Sequence, residues 1–293
     1  MLGFLHSAPP AFFILAAGLI GLCVGSFLNV VIFRLPQILE REWRADCKEY
    51  FADSFKPDSL PKDEPPLSLS FPRSFCPHCQ HKITALENIP VLSFLFLKGK
   101  CSGCGKKISW RYPAIEFLTG ALSAFAIFTL GATLQGFAAL ALIWILIALT
   151  FIDFDCQLLP DSLTLPLLWL GLLINLCPNG FVDIQSAVIG AMAGYLSLWS
   201  IFWIFKILTK KEGMGYGDFK LLAALGAWFG WKMLLPILCF SSAVGSVVGI
   251  FLIIATKHGK NMPIPFGPYL AGGGLLALFW GRDFLSFLFP TLL

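Results

Sequence analysis

The sequence predicts an all-α polytopic membrane protein with about eight transmembrane helices and one sizeable polar loop between the first two. Three observations predict it. The 293 residues are 57% hydrophobic and only 13% charged, whereas soluble domains are nearer 45–50% apolar and about 25% charged. The mean hydropathy is +0.78. Uncharged runs long enough to cross a bilayer recur along the chain, and Trp and Phe, nine and 29 residues, suit interfacial anchoring.

The elements follow in order. Residues 1–10 carry no Lys or Arg, so a cleavable signal peptide is not expected. The apolar stretch from Ala11 to Phe33 reads as a first span, assigned to residues 1–33. Residues 34–112 form the polar loop, whose part from Glu40 to Ser70, with Pro57, Pro61, Pro65 and Pro66, reads as irregular. Residues 113–293 form the main membrane domain of seven helices. Its charge-free run from Phe117 to Ile152 suits two crossings, turned at Gly131–Gly136. Further spans are expected near 162–178, 184–207, from Asp218 to Pro236, on to Thr256, and over 266–289. Glycine pairs Gly21/Gly25, Gly190/Gly194, Gly226/Gly230 and Gly245/Gly249 read as close helix packing.

Charge sets the orientation. Thirteen of the 21 Lys and Arg residues fall between Arg34 and Arg111. Lys206, Lys210, Lys211 and Lys220 form a second cluster, and Lys257 and Lys260 a third. With eight spans all three lie on one side, and the positive-inside rule makes it cytoplasmic. Only Lys232 and Arg282 fall towards the other face.

The loop carries Cys76-Pro77-His78-Cys79 and Cys101-Ser102-Gly103-Cys104. Two Cys-x-x-Cys turns supply four thiolates, the donor set of a closed structural Zn²⁺ site formed by Cys76, Cys79, Cys101 and Cys104. A small loop with little core also needs such a staple. Disulfides fit less well on a cytoplasmic face, and a catalytic metal would need an open position. Gly103 and Gly105 suit the tight turn, and His78 and His81 are spare ligands at most. Cys23, Cys47, Cys156, Cys177 and Cys239 read as small buried hydrophobes. The basic residues Lys98, Lys100, Lys106, Lys107 and Arg111 suit anionic lipid headgroups rather than nucleic acid, since the net charge is only +4 and no recognition motif is present.

Two acidic signatures stand where apolar runs meet polar segments: Phe151-Ile152-Asp153-Phe154-Asp155, followed by Asp161, and Gly213-Met214-Gly215-Tyr216-Gly217-Asp218. A carboxylate inside the hydrocarbon costs about 2.5–3.5 kcal/mol on insertion scales, so two signatures point to chemistry. In the eight-span plan all four aspartates reach the same boundary, where two carboxyl groups that share a proton could work as an aspartyl protease. Asp218 is one member. Its glycines offer unusual backbone angles and room for a substrate strand, or the segment is a turn with Asp218 capping a helix. For the partner, Asp153, Asp155 and Asp161 all remain open, with Asp153 deepest in its apolar run.

The order of five segments then resembles a known family. They are Gly25-Ser26-Phe27-Leu28-Asn29-Val30-Val31-Ile32-Phe33-Arg34-Leu35-Pro36, the paired Cys-x-x-Cys, Glu87-Asn88-Ile89-Pro90, Arg111-Tyr112-Pro113, and the two acidic signatures. The chain resembles the bacterial type IV prepilin peptidases, Gly-x-Gly-Asp membrane proteases that also act as N-methyltransferases. The resemblance implies that Asp153 and Asp218 are the catalytic pair. It also implies cleavage of type IV prepilins and type II secretion pseudopilins after Gly, at the cytoplasmic face of the inner membrane. Methylation of the new N-terminal Phe by S-adenosylmethionine is implied as well. No nucleotide-binding fingerprint marks the methyl-donor site. Asn29, Arg34, Glu87 and Glu116 are polar candidates there, with structural hydrogen bonding an equal alternative. Leader lysines could meet Asp155, Asp161 or Asp63-Glu64. Intramembrane acids alone would also suit a proton-coupled transporter, which would place them deeper and on broken helices.

Overall fold

Apolar runs in hydrocarbon satisfy their own backbone only by coiling into helices, and helices account for nearly all regular structure among the described residues. The computed structural model describes residues 9–50, 67–211, 213–256 and 265–288. The helices are α1 (Pro10–Tyr50), α2 (Leu92–Phe96), α3 (Arg111–Leu130), α4 (Leu134–Cys156), α5 (Asp161–Leu176), α6 (Ile184–Thr209), α7 (Tyr216–Phe229), α8 (Leu234–Thr256) and α9 (Gly267–Leu288). A helix therefore stands at each expected span, though not every one is long. Among the described residues, five helical stretches are long and apolar enough to cross a membrane, namely α1, α3, α4, α6 and 231–251, while α5 is a shorter apolar helix. The chain divides into two compact units, residues 18–121 and residues 1–17 with 122–293.

Two boundaries differ from the sequence reading. The first helix does not stop at Phe33 but continues through Pro36 to Tyr50, so the first residues assigned to an irregular loop are helical. Beyond Pro36 the pattern turns polar without helix breakers, and Glu40 pairs with Arg44 one turn on, at 2.5 Å. The break between the sixth and seventh spans falls at Gly230 (φ 77°) rather than near Pro236. Pro236 instead occupies the first turn of α8, where a missing N–H costs nothing. The prolines at 57, 61, 65 and 66, the pair Asp63-Glu64, Lys257 and Lys260 lie outside the described residues.

In the unit of residues 122–293, α7 is buried from Asp218 to Phe229 except at Lys220, as expected of a helix that is apolar nearly all round. It packs against α5, α6, α8 and α9. Against α6 the contact is backbone to backbone: a Cβ on Gly226 would lie 2.2 Å from the Gly190 oxygen, and one on Gly190 2.4 Å from the Gly226 oxygen. Against α5, the Trp228 indole lies over Gly171 and donates to Leu167 O at 2.9 Å. Asn175 closes the far end, donating to Ala227 O (2.8 Å) and accepting from Phe181 N (2.7 Å). Between α3 and α4, Thr133 caps α4 by accepting from Gly136 N at 3.1 Å, and Gly131 takes φ 72°. No buried side-chain nitrogen or oxygen lacks a partner among the described residues.

In the unit of residues 18–121, α1 and α3 approach through glycine. A Cβ on Gly25 would lie 2.7 Å from Glu116 Cα. Asn29 donates to Tyr112 O at 3.2 Å, and Arg34, itself buried, donates to Ser68 O at 3.0 Å.

These contacts make opposite predictions for two glycines. Gly226→Ala should destabilise the protein in detergent by at least about 1–3 kcal/mol, as overpacking does, read as a lower melting temperature. Gly272→Ala, with nothing within 4 Å of its added methyl, should leave the melting temperature unchanged or slightly raised.

Candidate functional site

The chain reverses twice around one point. α4 ends in a left-handed Gln157 (φ 54°) whose N–H returns to Asp153 O at 3.0 Å. Residues Leu158 to Pro160 then lead directly into α5. This link places Asp153 in the last turn of α4. Asp218 lies in the first turn of α7, with Gly215 as the N-cap residue in extended backbone, so the aspartate itself is not the cap. Both carboxyl groups are buried, Asp153 at 5% and Asp218 at 7% exposure. Both border Leu159: a Cβ on Gly217, next to Asp218, and one on Gly267, whose N–H binds Asp153, would each meet that side chain.

Of the three glycines before Asp218, Gly217 and Gly213 serve space rather than backbone angle. Gly213, Gly215 and Gly217 avoid the left-handed region. A Cβ on Gly217 would lie 2.6 Å from Leu159 Cβ, so the buried Leu159 seals one side of the acid pair. Gly213 yields instead to the Phe205 ring at 2.9 Å.

Sequence reasoning missed a third participant. The N–H of Gly267, the first residue of α9, donates to Asp153 Oδ2 at 3.0 Å in a buried contact. A Cβ at 267 would lie 2.6 Å from that oxygen and 3.1 Å from the Leu159 methyls. The available signal was Pro263, Pro265 and Pro268 around a glycine ahead of an apolar run.

Of the other acids, Asp161 is not beside this pair's donors but is bound by Lys220 Nζ at 2.6 and 2.7 Å. A basic leader would therefore meet an already neutralised Asp161. Asp155 is exposed.

In the unit of residues 18–121 the four cysteines converge, their sulfur atoms all within 4.8 Å of one another. Cys76 and Cys104 are 3.9 Å apart, as are Cys79 and Cys101. A tetrahedral ion with metal–sulfur bonds of about 2.3 Å sets sulfurs about 3.8 Å apart, so the cluster fits a metal ion. The two turns are near copies. Cys76 N donates to His81 O and Gln80 N to Cys76 O; Cys101 N donates to Lys106 O and Gly105 N to Cys101 O, all at 2.8–2.9 Å. The equivalent Gln80 and Gly105 take φ 59° and 70°, so Gly105 serves the turn as expected and Gln80 takes the same shape without glycine. Each turn is flanked by one β-bridge, Phe75 with Lys82 and Lys100 with Lys107. Backbone N–H groups of Cys79 and then His78 aimed at the Cys76 sulfur lower its thiol to about 6, which readies a thiolate for a cation.

One carboxylate bolts the turns together. Glu87 accepts from the Ser102 hydroxyl, from Thr84 N (2.8 Å) and Thr84 Oγ1 (2.9 Å), and lies 3.2 Å from His81 Nε2. Ser102 first, then Thr84, hold its acid down to about 2. His78 Nδ1 receives Lys106 at 3.3 Å, and neither histidine joins the thiolate cluster. Glu116 accepts from Val91 N at 2.8 Å. Asn29, Arg34, Glu87 and Glu116 are thus all engaged in internal hydrogen bonds.

Comparison with known proteins agrees along the whole chain. Residues 19–130 match the model of the bacterial peptidase A24 N-terminal domain, and residues 140–250 that of the type IV leader peptidase family. The prepilin leader peptidase/N-methyltransferase of Aeromonas hydrophila is 59% identical over 276 residues, 94% of this chain and 93% of the relative. That of Pseudomonas aeruginosa is 49% identical over 291 residues, 98% of each. The Legionella pneumophila protein of the same name is 47% identical over 277 residues, 94% of each. No solved structure matches. With identity this high over nearly full length, and family models matched over residues 19–130 and 140–250, the chain belongs to the type IV leader peptidase family.

Proposed function

We propose that this chain is a prepilin leader peptidase and N-methyltransferase of the bacterial inner membrane. It cuts type IV prepilins, and type II secretion pseudopilins, after Gly at the cytoplasmic face, and methylates the exposed N-terminal Phe. The observation that carries the reading is the burial of two carboxyl groups, Asp153 at the end of α4 and Asp218 at the start of α7, around the shared neighbour Leu159. A proton-coupled transporter is less well supported, because the acids stand at helix ends rather than on helices broken near the midplane.

In this reading the two carboxyl groups come within reach of each other and share one proton. The ionised one takes a proton from water as its oxygen attacks the scissile carbonyl carbon. The protonated one gives its proton to the carbonyl oxygen. As the tetrahedral intermediate collapses and the C–N bond breaks, the carboxyl that took the proton of water gives it to the leaving amine, the other carboxylate takes a proton from a hydroxyl of the intermediate, and the dyad returns to its starting state. Gly267 N–H holds one Asp153 oxygen, so the other is the one directed to water. The catalytic roles of Asp153 and Asp218 are part of this proposal.

Zn²⁺ is the ion we assign to Cys76, Cys79, Cys101 and Cys104. Four thiolates close its coordination, so its role is structural. S-adenosylmethionine would supply the methyl group. Asn29, Arg34, Glu87 and Glu116 do not offer it a free donor set, since each is held by internal partners, and no step is assigned to them.

Asp153→Asn and Asp218→Asn should each lower kcat for prepilin cleavage at least about 100-fold, with melting temperature and metal content unchanged; normal cutting by either variant would refute the assignment. Gly267→Ala should reduce cleavage at least about 10-fold by displacing the Asp153 carboxylate, by the misplacement argument, while metal content again stays constant. Cys76→Ser should abolish stoichiometric zinc, measured by elemental analysis. Glu87→Gln should release zinc to a chelator roughly 10-fold faster, as supporting contacts around metal sites do when removed.

A further inference from the structure

We propose that the α2 turn and the lysine bridge beside it form an interfacial anchor that seats the metal-cluster unit on anionic lipid headgroups. The inference rests on α3 spanning the membrane and not on the peptidase reading.

Height is set by α3. Trp110 immediately precedes that helix, and its ring packs on Phe94 of α2 at 4.7 Å. Val91, at the start of α2, donates to Glu116, five residues further along α3 than Arg111, or about 8 Å along its axis. Ile108 N donates to Gly99 O at 2.8 Å, closing the other end. α2 is therefore pinned level with the first turns of a helix entering the bilayer, where aromatic belts and headgroups lie.

The surface presented at that height is apolar and exposed. Phe96 is 83%, Leu86 78% and Trp110 72% exposed, and Leu92 and Leu95 are exposed beside them. Soluble surfaces rarely gather such a patch without a partner. Beside it, Lys100 and Lys107 face each other across an antiparallel bridge. Like charges placed opposite destabilise a bridge unless an anion lies between or over them. Leu95, Trp110, Lys98, Lys100 and Lys107 line one concavity, whose apolar floor and cationic rim match an acyl chain under a phosphate. Nucleic acid would answer the lysines but leave Phe96 and Leu86 in water. An anionic bilayer surface answers both.

The test uses the full-length protein in nanodiscs of phosphatidylcholine, with or without phosphatidylglycerol. With p-benzoylphenylalanine in place of Phe96, irradiation should give lipid adducts by mass spectrometry. In the wild type, amide exchange over residues 92–98 should slow several-fold when phosphatidylglycerol is present. Lys98→Glu, Lys100→Glu and Lys107→Glu together should erase that headgroup dependence while metal content stays at the wild-type level. Adducts only to protein, or wild-type exchange indifferent to the anionic lipid, would overturn the proposal. Either result would leave cleavage by Asp153 and Asp218 untouched.

Discussion

The constraint behind the membrane unit is that two carboxyl groups must be held together inside an apolar bundle. Each alone would be costly there, and only rigid neighbours can keep them from drifting to water. The surrounding features serve that end. α7 carries Asp218 and is clamped on every side; its backbone touches α6 through Gly190 and Gly226; and Trp228 and Asn175 fix it to α5. Leu159 fills the space that Gly217 and Gly267 leave open. Helix parity brings the pieces to one side. Two helices, α5 and α6, separate Asp153 from Asp218, and two more, α7 and α8, separate Asp218 from Gly267.

The metal-cluster unit solves a different problem. It has little core, since Cys76 and Phe94 are among its few buried side chains between α1 and α3. Its order comes from two near-identical turns closed by thiolates and bolted by Glu87 across Ser102 and His81. A left-handed Gln80 in one turn where the other has Gly105 shows that the cluster overrides local preference.

Hydropathy made the helices legible, because a long uncharged run in lipid has one backbone solution. Boundaries were less legible. Pro36 and Pro236 look like stops, yet one lies inside a helix and the other in a first turn that needs no N–H there. Cysteine spacing showed the metal cluster, since its geometry is local to each turn. The acid pair was visible only as a set of candidates, from which family resemblance selected Asp153. Leu159 and Lys220 carried no local signal, and Gly267 only its flanking prolines: Gly267 meets its partner across 114 residues and Lys220 across 59, and such contacts exist only once helices pack.

A hydrolase in a membrane also needs water at its carboxylates. α5 has 16 residues and α7 has 14, so they extend about 24 and 21 Å against a hydrocarbon core of about 30 Å. Helices this short force the bilayer to thin or the adjoining loops to dip. Either response lowers the water boundary beside the end of α4 and the start of α7, where Asp153 and Asp218 lie. Under the proposed mechanism the clamp on α7 and its shortness act together: one fixes the acids, and the other admits the water that the mechanism requires.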